Sequence, residues 1–278
     1  QKGDREMQIA YTGWTWLVNH EDNYQWEFEQ SLKASADLGY EAVENFAFIT
    51  RYFDNDADKV RALLEKYGLK LVNMYLHFTE DPEADWENAV AYVDFMKRLG
   101  GVPYMNMQAV MWTDEPYDRP MDKKAIEGFA ALSNRVGKLC KENGVTACFH
   151  PHFSTAVYKE EEIDYYDSLV DHDLVKLCLD TAHTFVAGMD VEKAFDKYGD
   201  RIGYVHLKDV DPDAEKYPYA IDRFRALGLG VVDFGGALKS LKKHDFDGVL
   251  CVELDNPPVC NYRSAQISRE YIHNVLGY

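Results

Sequence analysis

Eight short apolar runs recur along this 278-residue sequence, and longer amphipathic segments separate them. Each run is rich in Val, Ile, Tyr or Phe, is too short for a helix, and follows a glycine, an aspartate or a polar turn. Such runs are typical of strands that are buried on both faces of a sheet. The predicted strands are Ile9–Trp16, Tyr40–Phe46, Leu69–Phe78, Val102–Gln108, Val145–His150, Val175–Asp180, Ile202–Leu207 and Val249–Leu254.

The segments between the runs have the apolar spacing of helices. In the first of them, Phe28, Leu32 and Ala36 lie on one helical face, and Gly39 follows the last turn. A glycine in that place adopts the left-handed conformation that commonly ends a helix. The predicted helices are Trp26–Leu38, Asp58–Tyr67, Trp86–Leu99, Asp122–Asn143, Glu160–Val170, Val191–Tyr198, Gly236–Lys243 and Ser264–Leu276.

This alternation of strands and helices limits the choice of fold. Eight strands that alternate with eight helices predict an α/β protein, a single (β/α)8 TIM barrel that spans residues 1–278. The alternative is an open, doubly wound sheet. Such a sheet would normally carry a G-x-G-x-x-G or a P-loop after an early strand, and the sequence has neither. No Pro/Ser-rich linker divides the chain, so one domain is expected.

The charge and the cysteines narrow the possible partners and setting. With 30 basic and 48 acidic residues, the formal net charge is −18, so neither nucleic acid nor a membrane surface is expected as a partner. The sequence contains no run of about 18 apolar residues, the length that a helix needs to span a bilayer. The five cysteines include no C-x-x-C, which predicts reduced thiols in a cytoplasmic protein. The chain does not begin with Met, so a removed signal peptide stays an alternative.

Histidines and acidic residues stand at the carboxyl ends of predicted strands five to eight. In a (β/α)8 barrel the chemistry lies at that end, and the opposite strand ends here offer no comparable residues. Two imidazole nitrogens and two carboxylate oxygens suit Mn²⁺, Co²⁺, Zn²⁺ or Fe²⁺ better than Mg²⁺ or Ca²⁺. We therefore expect one divalent metal ion. Its predicted ligands are His150, Asp180, His206 and Glu253.

Four motifs carry a resemblance to a known family. The stretches LDTAH, HLKD, LGLGVVDF and VELD resemble successive signatures of the xylose-isomerase-like TIM-barrel superfamily, which includes sugar isomerases and epimerases, inosose dehydratases and endonuclease IV. The resemblance implies metal ligands at the ends of strands five to eight, as above. It also implies that His183 and Lys208 face substrate oxygens, and that Glu44 matches a strand-two carboxylate of these enzymes.

The strand-five position separates two branches of this superfamily. Ketose epimerases carry a glutamate there, which works opposite the strand-eight glutamate to move a proton between the two faces of a carbon. Here the residue is His150, and a metal-bound imidazole is a poor base because its lone pair is committed to the ion. Inosose dehydratases carry a His-rich run at this place. The local sequence His-Pro-His resembles it, although Pro151 stands where another histidine is expected.

These comparisons favour a lyase acting on a keto-sugar or keto-inositol. The metal would bind the carbonyl and stabilise an enediolate after deprotonation of the adjacent carbon, and water elimination would follow. The catalytic candidates are Glu253, His152, Lys208 and His183. As a base, Lys208 needs a lowered pKa, whereas His152 needs little shift near neutral pH.

Two alternatives to the lyase stay open. A sugar isomerase or epimerase could use the same metal site, and a catalytically silent barrel could bind a sugar without turnover. An endonuclease-IV-like nuclease is disfavoured by the net charge of −18, because it needs a basic groove.

Several further side chains near the strand ends are candidates for substrate binding. Trp14 could stack on the apolar face of a sugar, or pack in the core. Arg223 could bind a phosphate or carboxylate group, or lie on a solvated loop. The predicted substrate-binding residues are Glu44, His77, Trp14, Asn106 and Arg223. Members of the superfamily often pair into dimers or tetramers, and the sequence leaves a homo-oligomer open.

Overall fold

The computed structural model describes residues 7–17, 23–112, 119–217 and 220–278. In this structure eight parallel strands close into a barrel, and their order around it follows the chain. The first strand pairs with the last, for example through Tyr11 and Val252. The predicted (β/α)8 barrel is therefore confirmed. The barrel strands, numbered one to eight in chain order, are Gln8–Thr12, Ala42–Phe46, Lys70–His77, Tyr104–Gln108, Thr146–Phe149, Val175–Asp180, Ile202–Leu207 and Val249–Val252.

Helices on the outside connect the strands, and the sequence explains where many of them begin and end. Asp56 and Asp81 accept backbone N–H bonds at two helix starts, and Gly68 ends the first of these helices with a φ of 67°. The main helices are Tyr24–Asp37, Ala57–Tyr67, Pro82–Leu99, Lys123–Glu142, Glu160–Leu169, Val191–Lys197, Phe234–Lys243 and Asn261–Tyr271. Shorter turns of helix are Trp14–Leu17, Ile49–Tyr52, Thr181–Val186, Gly199–Arg201, Ala214–Lys216, Ala220–Arg223 and Ile272–Leu276.

The first strand is shorter than predicted. It ends at Thr12, and the apolar run continues into the short helix Trp14–Leu17. Gly13 makes this turn close to strand two, because a Cβ there would lie 2.6 Å from Asn45 Nδ2. The strand and the short helix both face the core, so the sequence shows one uninterrupted apolar run where the structure has two elements.

Small and aromatic side chains fill the barrel below its carboxyl end. They are Ala10, Ala42, Val72, Cys148, Cys178, Tyr204, Val249 and Cys251. All five cysteines are unpaired and four are buried, which agrees with the expected reduced thiols. Among the described helices, none combines the length and the apolar character needed to cross a bilayer.

The HLKD and LGLGVVDF motifs meet in one loop after strand seven. The carboxylate of Asp209 accepts backbone N–H bonds of 2.8–3.0 Å from Val210, Gly228, Gly230 and Val232. The backbone approaches this carboxylate so closely that a Cβ at position 230 would lie 2.3 Å from Asp209 Oδ1. Hydrogen bonds to a charged acceptor are stronger than neutral ones, so Asp209 fixes the shape of the whole loop.

We expect Gly230→Ala to lower the free energy of unfolding by about 1–3 kcal/mol, because the added methyl group must displace Asp209 or the backbone beside it. The matched control is Gly128→Ala in the helix Lys123–Glu142, where a Cβ meets no atom within 4 Å. This control should raise stability by about 0.5–1 kcal/mol, since alanine favours a helix over glycine. Urea unfolding followed by circular dichroism measures both. Equal effects of the two variants would contradict the tight packing at Asp209.

Candidate metal centre and active site

Three buried donor atoms converge at the carboxyl ends of the last three barrel strands. Asp180, His206 and Glu253 each offer one ligand atom, and these atoms all lie within 4.8 Å of one another. Asp180 Oδ2 and His206 Nδ1 are 4.0 Å apart, and neither forms a hydrogen bond with any residue that the structure describes. Buried polar atoms without such a bond are rare. This donor set of nitrogen and oxygen therefore fits a divalent transition metal.

Asp180 is oriented by the helix that it starts. Its Oδ1 accepts the backbone N–H groups of Ala182 and His183 at 2.7 and 2.9 Å, so the carboxylate caps the helix Thr181–Val186. The other oxygen, Oδ2, is left facing the donor set. Burial raises the pKa of Asp180, and the charges of Lys208 and His206 oppose this shift.

His206 is held from behind by Glu44. The Nε2 atom of His206 lies 3.1 Å from Glu44 Oε2, and Asn73 Nδ2 donates to the same oxygen at 3.0 Å. Burial alone would raise the pKa of Glu44, but His206 and Asn73 lower it. A carboxylate behind a histidine fixes the ring and its tautomer, which leaves Nδ1 for a metal. Glu44 thus orients His206. The expected contact between Glu44 and substrate stays a prediction.

His150, the fourth predicted ligand, lies beside the three-residue set and is not part of it. Its Nδ1 donates to the carbonyl oxygen of Cys178 at 3.0 Å, which leaves Nε2 free, and its ring centre is 4.8 Å from that of His206. It also forms a second group of imidazoles with His152 and His183. Burial lowers the pKa of His150 far below its ordinary value, so this ring is neutral.

Lys208 is enclosed by acidic side chains and is 1% exposed. Its Nζ lies 2.7 Å from Asp255 Oδ2 and 3.5 Å from Asp180 Oδ2, and it contacts Glu253 directly. It also lies 3.2 Å from His183 Nε2. Burial by itself would lower the pKa of Lys208, but the three carboxylates outweigh it and raise the pKa. In these surroundings Lys208 is a buried cation and hydrogen-bond donor. Its predicted role as a base would need the opposite pKa shift, and that role stays a prediction.

Glu253 and Asp255 leave the end of strand eight toward the same cavity. Burial, and then the charge of Asp255, raises the pKa of Glu253. Burial would also raise the pKa of Asp255, but Lys208 lowers it. Asp255 joins the site in addition to the residues predicted from the sequence. The signal for it is the Glu-x-Asp spacing, because residues two apart at a strand end share one face.

A cavity of about 210 Å³ opens above these groups. Trp14 and His77, two of the predicted substrate-binding residues, line it, and their contact with substrate stays a prediction. The described residues around it include no lysine and no arginine. The side chains lining the cavity are Thr12, Trp14, Glu44, Phe46, Tyr75, His77, Gln108, Met111, His150, His152, His206, Ile221, Glu253 and Asp255.

His152 borders this cavity as a neutral hydrogen-bond acceptor. Its Nδ1 donates to the carbonyl oxygen of Phe153 at 2.7 Å, which leaves the lone pair of Nε2 uncommitted. Burial and the charge of Lys208 lower the pKa of His152 to about 3. The expectation that its pKa needs little shift from the neutral range is therefore corrected. The pKa is low because the ring is buried and the charged ammonium group of Lys208 lies near it.

Five predicted site residues do not line the cavity: Asp180 and Lys208, described above, and Asn106, Arg223 and His183. Asn106 is fully buried below it and donates to Cys178 Sγ at 3.4 Å. The guanidinium of Arg223 donates to the carbonyl oxygens of Asp211 and Pro212 in its own loop. The structure thus does not bring Asn106 or Arg223 to the cavity. His183 lies one layer back, with its ring centre 4.0 Å from that of His152.

Residues 32–272, most of the chain, match the family described as "Xylose isomerase-like TIM barrel". The chain belongs to this family. The resemblance inferred from its motifs is therefore confirmed. In this family context, the donor set at the ends of strands six to eight occupies the end of the barrel where (β/α)8 enzymes place their active sites.

Curated relatives of this chain include inosose dehydratases. The inosose dehydratase of Geobacillus kaustophilus is 27% identical over 274 residues, which cover 90% of this chain and 88% of that protein. The inosose dehydratase of Clostridium beijerinckii is 25% identical, with 98% of each chain covered. These names agree with the prediction of an enzyme of the lyase or isomerase class.

Solved structures share the fold of this chain. An IolI protein with a bound zinc atom superposes with a TM-score of 0.76 at 18% identity, covering 97% of this chain and 98% of that one. D-allulose 3-epimerase from Methylomonas sp. superposes with a TM-score of 0.75 at 19% identity, with the same coverage. At these identities the likeness establishes the barrel fold alone.

Proposed function

We propose that this chain is a divalent-metal-dependent enzyme that removes a proton next to the carbonyl of a keto-sugar or keto-inositol and then eliminates water. The observation that carries the proposal is the convergence of Asp180, His206 and Glu253 beneath the cavity. The inosose dehydratases among the relatives support the lyase outcome. A sugar isomerase or epimerase is the second candidate, because epimerases share the fold.

The donor set defines what each of its residues would do. Asp180, His206 and Glu253 would hold the ion, and His150 Nε2 lies next to it as a further donor. A bound divalent ion supplies Lewis-acid stabilisation of the negative charge that develops on a carbonyl oxygen. Glu44 keeps the ring of His206 in the tautomer that presents Nδ1 to the site.

The proton is removed by a group that borders the cavity. We assign this role to His152, because its Nε2 lone pair is free and its ring is held by the bond to Phe153. Its low pKa keeps the ring unprotonated at neutral pH. To take the proton, the ring needs its pKa raised by the negative charge that develops on the substrate beside it. Glu253 also borders the cavity, but it belongs to the metal donor set and contacts Lys208. The ammonium group of Lys208 compensates the negative charges of the Glu253 and Asp255 carboxylates. It also places a positive charge close to the cavity where the substrate would react.

The lining favours an uncharged substrate. Its described residues include the carboxylates of Glu44, Glu253 and Asp255 and no basic side chain other than histidine. A phosphate group would meet repulsion there without a lysine or arginine to bind it. The aromatic rings of Trp14 and Phe46 offer apolar faces that suit the C–H surface of a ring-shaped polyol.

The test is incubation of the metal-loaded protein with keto-inositols and ketoses in D₂O. We expect deuterium at the carbon next to the carbonyl, together with loss of water from a keto-inositol. His152→Gln should keep its metal and lower the exchange rate by about 100-fold or more, which is the usual effect of removing a general base. Glu253→Gln should lose both metal and exchange. Mass spectrometry and metal analysis measure these quantities.

Other outcomes of this experiment are equally informative. Exchange without water loss would favour the isomerase or epimerase. Bound metal without exchange on any of these substrates would indicate a silent sugar-binding barrel. Phosphate esters of the same ketoses serve as controls, and a lower KM for the esters than for the free sugars would contradict the uncharged substrate.

A further inference from the structure

A buried ion pair lies outside the cavity, between the loops that follow strands four and five. Arg119 Nη1 is 2.9 Å from Glu162 Oε1, and their side chains are 7% and 1% exposed. Neither residue lines the cavity. Removing two charges from water is costly, and such a pair often contributes little net stability. Its placement therefore calls for a reason other than stability alone.

Each member of the pair forms hydrogen bonds with the backbone of the loop 150–159. Glu162 Oε2 accepts the backbone N–H groups of Tyr158 and Lys159, both at 3.1 Å, so it fixes the end of this loop at the start of the helix Glu160–Leu169. Arg119 Nη2 donates to the carbonyl oxygen of Thr155 at 2.6 Å and so fixes the middle of the loop.

Thr155, which Arg119 holds in place, is in turn hydrogen-bonded to the backbone of His152. Its hydroxyl donates to the carbonyl oxygen of His152 at 2.8 Å, and the backbone N–H of His152 donates to Val157 at 3.1 Å. Thr155, Ala156 and Val157 are all fully buried. Both backbone polar groups of His152 are thus held by the loop segment that the ion pair anchors.

Trp112, just after strand four, contacts both Arg119 and the loop 150–159. The guanidinium of Arg119 lies 4.4 Å from the ring centre of Trp112, and the backbone N–H of Trp112 donates to Ser154 at 2.7 Å. Arg119 therefore joins the strand-four loop to the strand-five loop through its hydrogen bond to Thr155 and its contact with the ring of Tyr158, 5.9 Å from the ring centre. Its ion pair with Glu162 adds a link to the helix that follows.

We propose that Arg119 and Glu162 are positioning residues that set the place of the His152 imidazole in the cavity. They act through Thr155 and the buried loop, and they do not touch the substrate. The proposal rests on the proposed function only in giving His152 a role in the reaction. A displacement of about 1 Å at a reacting group can cost about 100-fold in rate, so the precision of this loop has a large expected effect.

The test compares Arg119→Met with Arg135→Met. Arg135 forms a similar pair on the outer surface, 2.8 Å from Glu83, and it lies 4.1 Å from the ring centre of Trp86. The first readout is the ¹⁵N–¹H signal of His152 Nδ1–H in the metal-loaded protein, assigned by its absence in His152→Gln. We expect Arg119→Met to shift or lose this signal, and Arg135→Met to preserve it.

The second readout is the kinetic parameters. Arg119→Met should lower kcat by about tenfold or more with KM changed less than about twofold, and the same change made in His152→Gln should cost almost nothing. Arg119→Lys and Glu162→Gln provide milder variants if Arg119→Met does not fold.

A lower melting temperature with an unchanged His152 signal and an unchanged kcat would overturn the proposal, because the pair would then be a structural brace only. The imidazole signal needs no turnover, so it tests the positioning even if the proposed reaction fails.

Discussion

Asp180→Asn is expected to remove most of the bound metal and to abolish measurable turnover. The amide keeps the oxygen that caps the helix Thr181–Val186, but it removes the negative charge from the donor set. Loss of a residue behind a ligand already costs about 10–100-fold in metal affinity, so loss of a ligand charge should exceed this. Metal content after dialysis, measured with the initial rate on a keto-inositol, checks the expectation.

The control for this variant is Asp190→Asn. Asp190 caps the next helix in the same way, with a 3.0 Å bond from the backbone of Lys193, but it lies outside the donor set. It should keep both metal and activity. Full metal occupancy in Asp180→Asn would show that the convergent donor atoms of Asp180, His206 and Glu253 are not the metal centre.

Lys208→Met should destabilise the metal-free protein by about 3–5 kcal/mol. The substitution leaves the buried carboxylates of Asp180, Glu253 and Asp255 without their cation, and removal of one partner from a buried ionic group has a cost of this order. A divalent ion should restore more stability to this variant than to the wild type, because it supplies positive charge to the same oxygens. Urea unfolding with EDTA and with added Mn²⁺ measures both effects.

Lys197→Met is the matched control. Lys197 also contacts two carboxylates, at 2.9 Å from Glu160 and 2.7 Å from Asp164, but its side chain is 40% exposed. Solvent screens such pairs, so the loss should stay below about 1 kcal/mol and should not respond to Mn²⁺. If Lys208→Met were as mild as Lys197→Met, the carboxylates around Lys208 would have to be protonated in the metal-free protein.

The fold could be predicted from the sequence where the apolar pattern of a buried strand was the dominant signal. The strands Val175–Asp180 and Ile202–Leu207 match their predicted bounds, because polar residues flank runs that are buried on both faces. The end of strand one at Thr12 could not be predicted, since the following short helix is equally apolar. Periodicity cannot separate the two elements over so few residues.

The site was accessible in part, and the limits have physical causes. Parallel strands bring their carboxyl ends together, so the approach of Asp180, His206 and Glu253 follows from the topology. The charge state of Lys208 does not follow from the topology alone, because the carboxylates that raise its pKa come from separate strands. The direction of the Arg223 side chain depends on loop carbonyls, which no sequence pattern specifies.

The barrel also divides its tasks between two halves, which matters for engineering. The proposed metal donors come from strands six to eight, whereas Trp14, Phe46, Tyr75 and Gln108 form part of the cavity wall from the first half. Libraries of variants at these wall positions could therefore retarget substrate choice while the catalytic half stays unaltered. A directed-evolution campaign on this scaffold would begin there.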